Sequence, residues 1–427
     1  MEGFSTNNAP SPAVVLPHYI FAALSFLVLA ALTALSSESL LSHYFNPVLL
    51  SLTHIAALGW ASMIIFGALY QLLPVILQVN LYSEKLAITS FILLSLGTII
   101  MAWSFWKFSI GYWLQTGAIL AFSGIIIFAV NIFFTANKNK KWNIDSDFIM
   151  TAVFWLLATG IIGILMVFNF RFVFLPESHL LYLKIHAHTG VIGWLLLLII
   201  GVGSKLLPMF MLSHKINETK LKYAYYLINS GLILLIIHWL FFPEVNITWF
   251  FSLMIVAGIM AFISFVWEAY SSKLRKSDIG MKQSFAAIFL LFLPLLLGLF
   301  ISSNPALEAP MLYRVYMVYG FSAFFGLTTS LILGQTLKTL PFIVWLSKYK
   351  SMIGKTKIPL PKELYSERIA RWQYRFYLLA IALFIGGILM AETIMIKSGA
   401  MALLTTAVLY NINVFKILFH SAKKPAL

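Results

Sequence analysis

Cysteine is absent from the 427 residues of this sequence. Without thiols the chain cannot form disulfides, bind a metal or an iron–sulfur cluster through thiolates, or attach a c-type haem covalently. Histidine, carboxylate and methionine sulfur are therefore the side-chain ligands that remain for a metal.

Charged residues are also scarce. Asp, Glu, Lys and Arg together make up 10% of the chain, whereas 61% of it is apolar and the mean hydropathy is +0.92. A soluble domain does not need so much apolar surface, but a chain that crosses a bilayer many times does. The sequence thus predicts an all-α, polytopic membrane protein. The polar segment 1–17 has no basic region of the kind that begins a cleaved signal peptide.

Twelve apolar segments are long enough to span a bilayer, and we expect residues 1–427 to form a single transmembrane domain. The segments lie near 18–37, 47–77, 86–106, 111–134, 147–170, 181–212, 223–242, 247–270, 285–302, 312–346, 376–396 and 399–419.

One block of sequence occurs three times. Its first copy contains His54, Gly59, Trp60 and Gly67, and its second copy repeats them 134 residues later as His188, Gly193, Trp194 and Gly201. A weaker third copy follows 133 residues further on, with Gly326 and Gly334 but with Phe321 in place of the histidine. A period of this length indicates a whole supersecondary block. We predict three repeats of four helices, at approximately 18–146, 147–282 and 283–419, around a pseudo-threefold axis along the membrane normal.

Basic residues concentrate in the loops that follow the fourth, sixth, eighth and tenth segments, and most densely in the loop 347–370. The positive-inside rule places that loop and both termini in the cytoplasm, with the chain in a plasma (bacterial inner) membrane. The net charge of +15 is then a topology signal that predicts contact with anionic lipid and no nucleic-acid partner.

Four histidines fall inside the predicted spans, His54, His186, His188 and His238, whereas His18 lies at the cytoplasmic edge of the first span. An ionisable residue inside a membrane costs free energy and therefore suggests a functional site, and neutral imidazole is a common ligand of haem iron and copper. His186 and His188 point about 200° apart on a helix, so two sites on either side of that helix are expected. The alternative is that these histidines only bond to backbone or lipid headgroups, and that the repeated glycines only allow close helix packing.

With its three four-helix arcs and with histidines on the second, sixth and seventh helices, the chain resembles the catalytic subunit (subunit I) of haem–copper oxidases and nitric oxide reductases. It is also similar to NnrS-type haem–copper membrane proteins. The resemblance implies that His54 is an axial haem ligand, and the repetition of this histidine makes His188 a second candidate cofactor ligand. The resemblance also implies that His186 or His188, together with His238, binds the active-site metal. Haem b and copper are the implied cofactors, and the implied partners are an electron-donor protein and a small gas such as nitric oxide or oxygen.

The tenth segment departs from that pattern. It contains no histidine, and the repeat register places Tyr319 and Phe321 where the family has its His-x-His pair. A haem held by His54 would then be five-coordinate or would take an unusual sixth ligand. Five-coordinate iron favours binding of a gas over reduction of oxygen. If the chain is an enzyme, an oxidoreductase of the haem–copper oxidase or nitric oxide reductase type is expected. The alternative is a transporter or permease that uses the same scaffold without a redox cofactor.

Overall fold

The computed structural model describes residues 8–139, 142–214, 217–354 and 358–421. Within these ranges the chain contains twelve helices that are long and apolar enough to cross a membrane, and no strand. The helices are α1 Pro12–Leu35, α2 Pro47–Leu77, α3 Glu84–Trp106, α4 Tyr112–Ala136, α5 Ile144–Phe172, α6 His179–Met211, α7 Glu218–Phe241, α8 Thr248–Ser271, α9 Ile279–Ser302, α10 Ala309–Met352, α11 Glu367–Met390 and α12 Thr393–Leu418. The predicted all-α, twelve-helix architecture is confirmed.

The start of α11 differs most from the prediction. The apolar run predicts a helix over 376–396, but α11 begins at Glu367, where the Ser366 hydroxyl accepts a hydrogen bond from the Ile369 N–H. The first turns of α11 carry Arg368, Arg371 and Arg375, which lower the local hydropathy without breaking the helix. α11 ends at a left-handed Ala391 (φ 58°), so α12 begins at Thr393. Helix ends are set here by capping groups and backbone turns, which hydropathy does not report.

The helices that carry the repeated block are the three longest, with 31, 33 and 44 residues for α2, α6 and α10. Each contains an eight-residue π-helical stretch, at Ile55–Ser62, Thr189–Leu196 and Ser322–Thr329. The stretches begin directly after His54, His188 and Phe321, so the sequence repeat is also a repeat of backbone geometry. π-Helical turns are rare and often lie at functional sites.

The three motif helices pack around one axis. The Trp60 indole N–H of α2 donates to the Thr329 hydroxyl of α10 over 3.3 Å, and the Trp194 indole N–H of α6 donates to the Ser62 hydroxyl of α2 over 3.1 Å. The repeat register places Leu327 and Leu196 at the third such pair, between α10 and α6. Two of the three interfaces are therefore hydrogen-bonded and the third is apolar, as expected for a pseudo-threefold ring whose copies have diverged.

The outer helices pack as hairpins, α3 with α4, α7 with α8 and α11 with α12. At the first hairpin a Cβ on Gly97 would lie 2.3 Å from the Ala121 backbone nitrogen, and at the second a Cβ on Gly231 would lie 2.8 Å from the Ile255 side chain. Gly97 and Gly231 are 134 residues apart, so the close helix crossing is repeated too. The repeat boundaries at 146/147 and 282/283 stay a prediction.

Ion pairs occur at one end of the bundle in the second and third repeats. Asp145 at the start of α5 lies 3.8 Å from the Lys205 ammonium of α6, and Asp278 at the start of α9 contacts the Lys338 ammonium of α10. Both members of the second pair lie 133 residues after those of the first. The first repeat has Ser11 and Gln71 at these positions. The ion pair is therefore part of the repeated unit and was lost or never present in one copy.

The orientation of the bundle stays a prediction, which a reporter fusion tests. A cytoplasmic reporter fused after Lys357 is expected to be active, because the loop 347–370 carries the densest run of basic residues. Residues 355–357 of that loop and 422–427 of the tail lie outside the described residues. A fusion after Asn246, between α7 and α8, is the opposite-side control. Activity of a periplasmic reporter at position 357 would reverse the orientation.

Candidate functional site

Three of the four predicted intramembrane histidines share one hydrogen-bond pattern. In each, Nδ1 lies within hydrogen-bond distance of a backbone carbonyl: His54 to Leu50 at 2.7 Å, His186 to Thr159 at 3.0 Å and His188 to Lys184 at 2.8 Å. A carbonyl oxygen can only accept, so in the neutral ring Nδ1 holds the proton and Nε2 holds the lone pair. This tautomer and this anchoring are typical of histidines that bind a metal through Nε2.

His54 and His186 lie at the junction of the first and second repeats. The His54 ring stacks on Phe105 of α3, with ring centroids 4.9 Å apart. The His186 ring lies over Gly163 of α5, where a Cβ would come within 3.0 Å of Cε1. Neither Nε2 has a hydrogen-bond partner in the part of the chain that the structure describes. On this shared feature we treat the two residues together as a candidate pair of ligands, which we call the His54–His186 site.

His188 points to the other side of α6, between the second and third repeats. Its Nε2 lies 3.3 Å from the Tyr319 hydroxyl of α10, and its ring meets the Trp239 ring of α7 edge-on at 5.0 Å. Because Nδ1 donates to the Lys184 carbonyl, the Tyr319 hydroxyl must be the donor to Nε2. The Lys184 ammonium lies over the Trp239 ring at 4.1 Å. His186 and His188 therefore face different clefts, as their spacing on the helix predicts.

His238 lies within the α7–α8 hairpin. Its Nε2 lies 2.8 Å from the Thr248 hydroxyl of α8, and its ring packs near Phe251. The neighbouring residue, Trp239, is the one whose ring contacts His188. No contact of His238 with either α6 histidine occurs among the described residues, so its proposed pairing with one of them stays a prediction.

The third repeat fills the equivalent position with aromatic rings. Phe321, the register equivalent of His188, stacks on Phe325 at 4.8 Å and packs against Phe384 of α11 at 5.1 Å. Tyr319 is the register equivalent of His186 and is the polar group that α10 presents to His188. α10 thus contributes a phenol to the site region and no imidazole.

The motif glycines pack against neighbouring helices. A Cβ on Gly59 would lie 3.0 Å from the Ser25 hydroxyl of α1, and one on Gly193 would lie 2.6 Å from the Trp155 ring of α5. The same atom on Gly326 would lie 3.4 Å from Leu290 of α9. Helix packing accounts for these positions, and a groove for a flat macrocycle is not needed to explain them.

The described residues contain no group of three or more His, Asp or Glu side chains that could hold a metal ion together. The sequence did not predict the residues that contact these histidines, namely Phe105, Thr159 and Gly163. Their positions relative to the histidines depend on how α3 and α5 pack, and the spacing of residues in the sequence does not predict that packing.

No family model matches the chain, and no curated protein matches it. Among solved structures it is similar to a heme-copper terminal oxidase determined by cryo-EM as a dimer, with a TM-score of 0.70. The identity is 14%, and the match covers 97% of this chain and 86% of that one. At this identity the likeness shows the fold alone. The chain is a multi-pass membrane protein whose fold is like that of a heme-copper terminal oxidase, and this coarse part of the resemblance is confirmed.

Proposed function

We propose that this chain is a haem- and/or copper-binding membrane protein of the haem–copper oxidase type, with a redox or nitric oxide-related function. One observation carries the proposal: His54 and His186 are held through Nδ1, and each keeps an Nε2 lone pair for a ligand. The likeness to a heme-copper terminal oxidase supports it. In a bacterial inner membrane such a protein would receive electrons from a donor protein. As an enzyme it would be an oxidoreductase of the haem–copper oxidase or nitric oxide reductase type.

The donor set fits a haem better than a three-histidine copper centre. His54, alone or with His186, would hold a haem b, since the absence of cysteine excludes covalent attachment. With His54 as its one protein ligand, a haem would be able to bind a small gas such as nitric oxide. On the other side of α6, a copper ion would have two donors, the His188 imidazole and the Tyr319 hydroxyl, which lie 3.3 Å apart. His238 would be needed as a third donor.

The surrounding side chains would orient the ligands. The Leu50 and Thr159 carbonyls fix the tautomers of His54 and His186, and the stacked Phe105 ring fixes the plane of His54. Gly163 has no side chain, so the His186 ring can pack directly against α5. Outer partners of this kind typically contribute 10- to 100-fold in metal affinity, as an order of magnitude.

A transporter or permease without a redox cofactor is the alternative function. The observation in its favour is His188, both of whose nitrogens are already engaged, by the Lys184 carbonyl and the Tyr319 hydroxyl. A histidine of that kind bridges two helices without needing a metal.

An optical spectrum of the purified protein separates the two functions. Expression with a haem precursor is expected to give a Soret band, with α and β bands on reduction, and about one haem per chain. Metal analysis of the same sample measures copper. The matched control is the same purification from cells that carry an empty vector. Protein with full helix content but with neither haem nor copper would favour the permease.

A further inference from the structure

A groove of about 430 Å³ runs along the outside of the α11–α12 hairpin, at the end of the bundle where the basic loops lie. We call it the α11–α12 groove. Its lining residues are Arg368, Ile369, Trp372 and Phe376 of α11 and Thr405 and Leu409 of α12. The α11 residues span eight positions, so the groove extends about 12 Å along the helix.

Hydrogen bonds between Ser366 and Asn413 fix the register of the two helices. The Asn413 side chain accepts from the Ser366 N–H at 2.9 Å and donates to the Ser366 carbonyl at 3.2 Å. Arg368 therefore lies near the start of α11, at the end of the bundle. Thr405 is eight residues before Asn413, about 12 Å further into the span. The groove thus runs from the expected surface of the bilayer toward its hydrocarbon region.

The surface end of the groove offers a positive charge and hydrogen-bond donors. Among the described residues, neither the Arg368 guanidinium nor the Trp372 indole N–H has an ion-pair or hydrogen-bond partner. The neighbouring carboxylate of Glu367 is paired with Arg371 over 3.4 Å. The Arg375 guanidinium lies 4.9 Å over the Trp372 ring and adds positive charge beside the groove. Guanidinium donors of this kind suit the oxygens of a phosphate group.

The deep end of the groove is apolar. Ile369, Phe376 and Leu409 present hydrocarbon, and the Phe376 ring lies 6.1 Å from the Trp372 ring between centroids. The Thr405 hydroxyl donates to the Met401 carbonyl over 2.9 Å, so it needs no partner from an occupant. A free phosphate would use the surface end and leave this wall uncovered, whereas a hydrocarbon chain covers it.

We propose that the α11–α12 groove binds one anionic phospholipid of the leaflet at this end of the bundle. Its phosphate accepts from Arg368 and Trp372, and one acyl chain lies along the apolar wall. A zwitterionic headgroup fits less well, because its ammonium group would find no carboxylate beside Arg368. The proposal holds for either orientation of the bundle in the membrane, and it does not depend on haem or copper.

Photolabelling of the full-length protein in phosphatidylcholine nanodiscs tests this site. Two probe lipids carry the same diazirine-bearing acyl chain, one with a phosphatidylglycerol and one with a phosphatidylcholine headgroup. Mass spectrometry then maps the labelled peptides. At residues 369–376 and 405–409 we expect the phosphatidylglycerol probe to label about fivefold more, the effect of one basic side chain near a lipid surface. Inorganic phosphate at constant ionic strength should leave this labelling unchanged.

Three variants complete the test. Arg368→Gln should reduce the preference for phosphatidylglycerol to within about twofold of none, since it removes the charge at the groove. Arg275→Gln is the matched control in the exposed α8–α9 loop at the same end of the bundle, and it should keep the preference. Thr405→Trp fills the deep end of the groove and should lower labelling of residues 369–376 by both probes at least about threefold. Helix content and thermal unfolding confirm that each variant is folded.

Four results would overturn the proposal. They are equal labelling by the two probes, a preference that survives Arg368→Gln, labelling that survives Thr405→Trp, and displacement of the phosphatidylglycerol probe by inorganic phosphate. The last result would assign the arginine to a soluble anion, and the third would place the acyl chain elsewhere on the surface.

Discussion

His54→Ala is expected to lower the haem content of the purified protein to less than about a tenth of the original. If His54 holds the haem as proposed, its loss should cost more than the 10- to 100-fold typical for outer partners of a ligand. His186→Ala should also lower the haem content, because its Nε2 is the other free imidazole lone pair at the same site. Haem per protein is measured from the pyridine haemochrome spectrum, together with copper in the same samples.

His188 gives the informative contrast on the same helix. We expect His188→Ala to leave haem unchanged, because its Nε2 accepts a hydrogen bond from Tyr319 and it faces the cleft on the other side of α6. A loss of copper in this variant would instead assign it to a second metal. His43→Ala, outside the spans, is the matched control for histidine removal. If His54→Ala and His186→Ala are folded and keep their full haem content, neither residue is a ligand and the haem is held elsewhere in the chain.

The number and order of the helices were predictable because membrane spans must satisfy their own backbone, and long apolar runs therefore become helices. The repeat showed that His54 and His188 occupy equivalent positions. The helical spacing showed that His186 and His188 point to opposite sides of their helix. These inferences depend on periodicity alone, which a sequence displays directly.

The neighbours of the histidines could not be predicted in the same way. Whether His54 meets His186 or His188 depends on the packing of α5 and α10 around the axis, which spacing within one helix does not fix. The π-helical stretches were likewise not predicted, because no residue type marks them. Tyr319 was placed in register with a family histidine, but only the structure shows that its hydroxyl reaches His188.

Gly193→Ala is expected to destabilise the protein by about 3 kcal/mol, an overpacking cost at the upper end of the usual range. The added Cβ would lie 2.6 Å from the Trp155 ring. That ring is buried, and its indole N–H donates to the Asn229 amide oxygen over 3.0 Å, so it cannot swing aside without losing a hydrogen bond. α5 and α6 would have to separate instead. Thermal unfolding in detergent measures the loss.

Gly320→Ala is the matched control, because it lies in the interior of α10 with no atom within 4 Å of the added Cβ. Alanine is the better helix former, so this change should be neutral or stabilise by about 0.5–1 kcal/mol. Gly326→Ala, whose added Cβ would lie 3.4 Å from Leu290, should have an effect on stability between those of the other two variants.

The same variants distinguish a glycine that allows helix packing from a glycine that makes room for a cofactor. If Gly193 served a macrocycle, Gly193→Ala would lose haem while its unfolding temperature stayed unchanged. If the unfolding temperature falls, with or without loss of haem, the glycine serves helix packing.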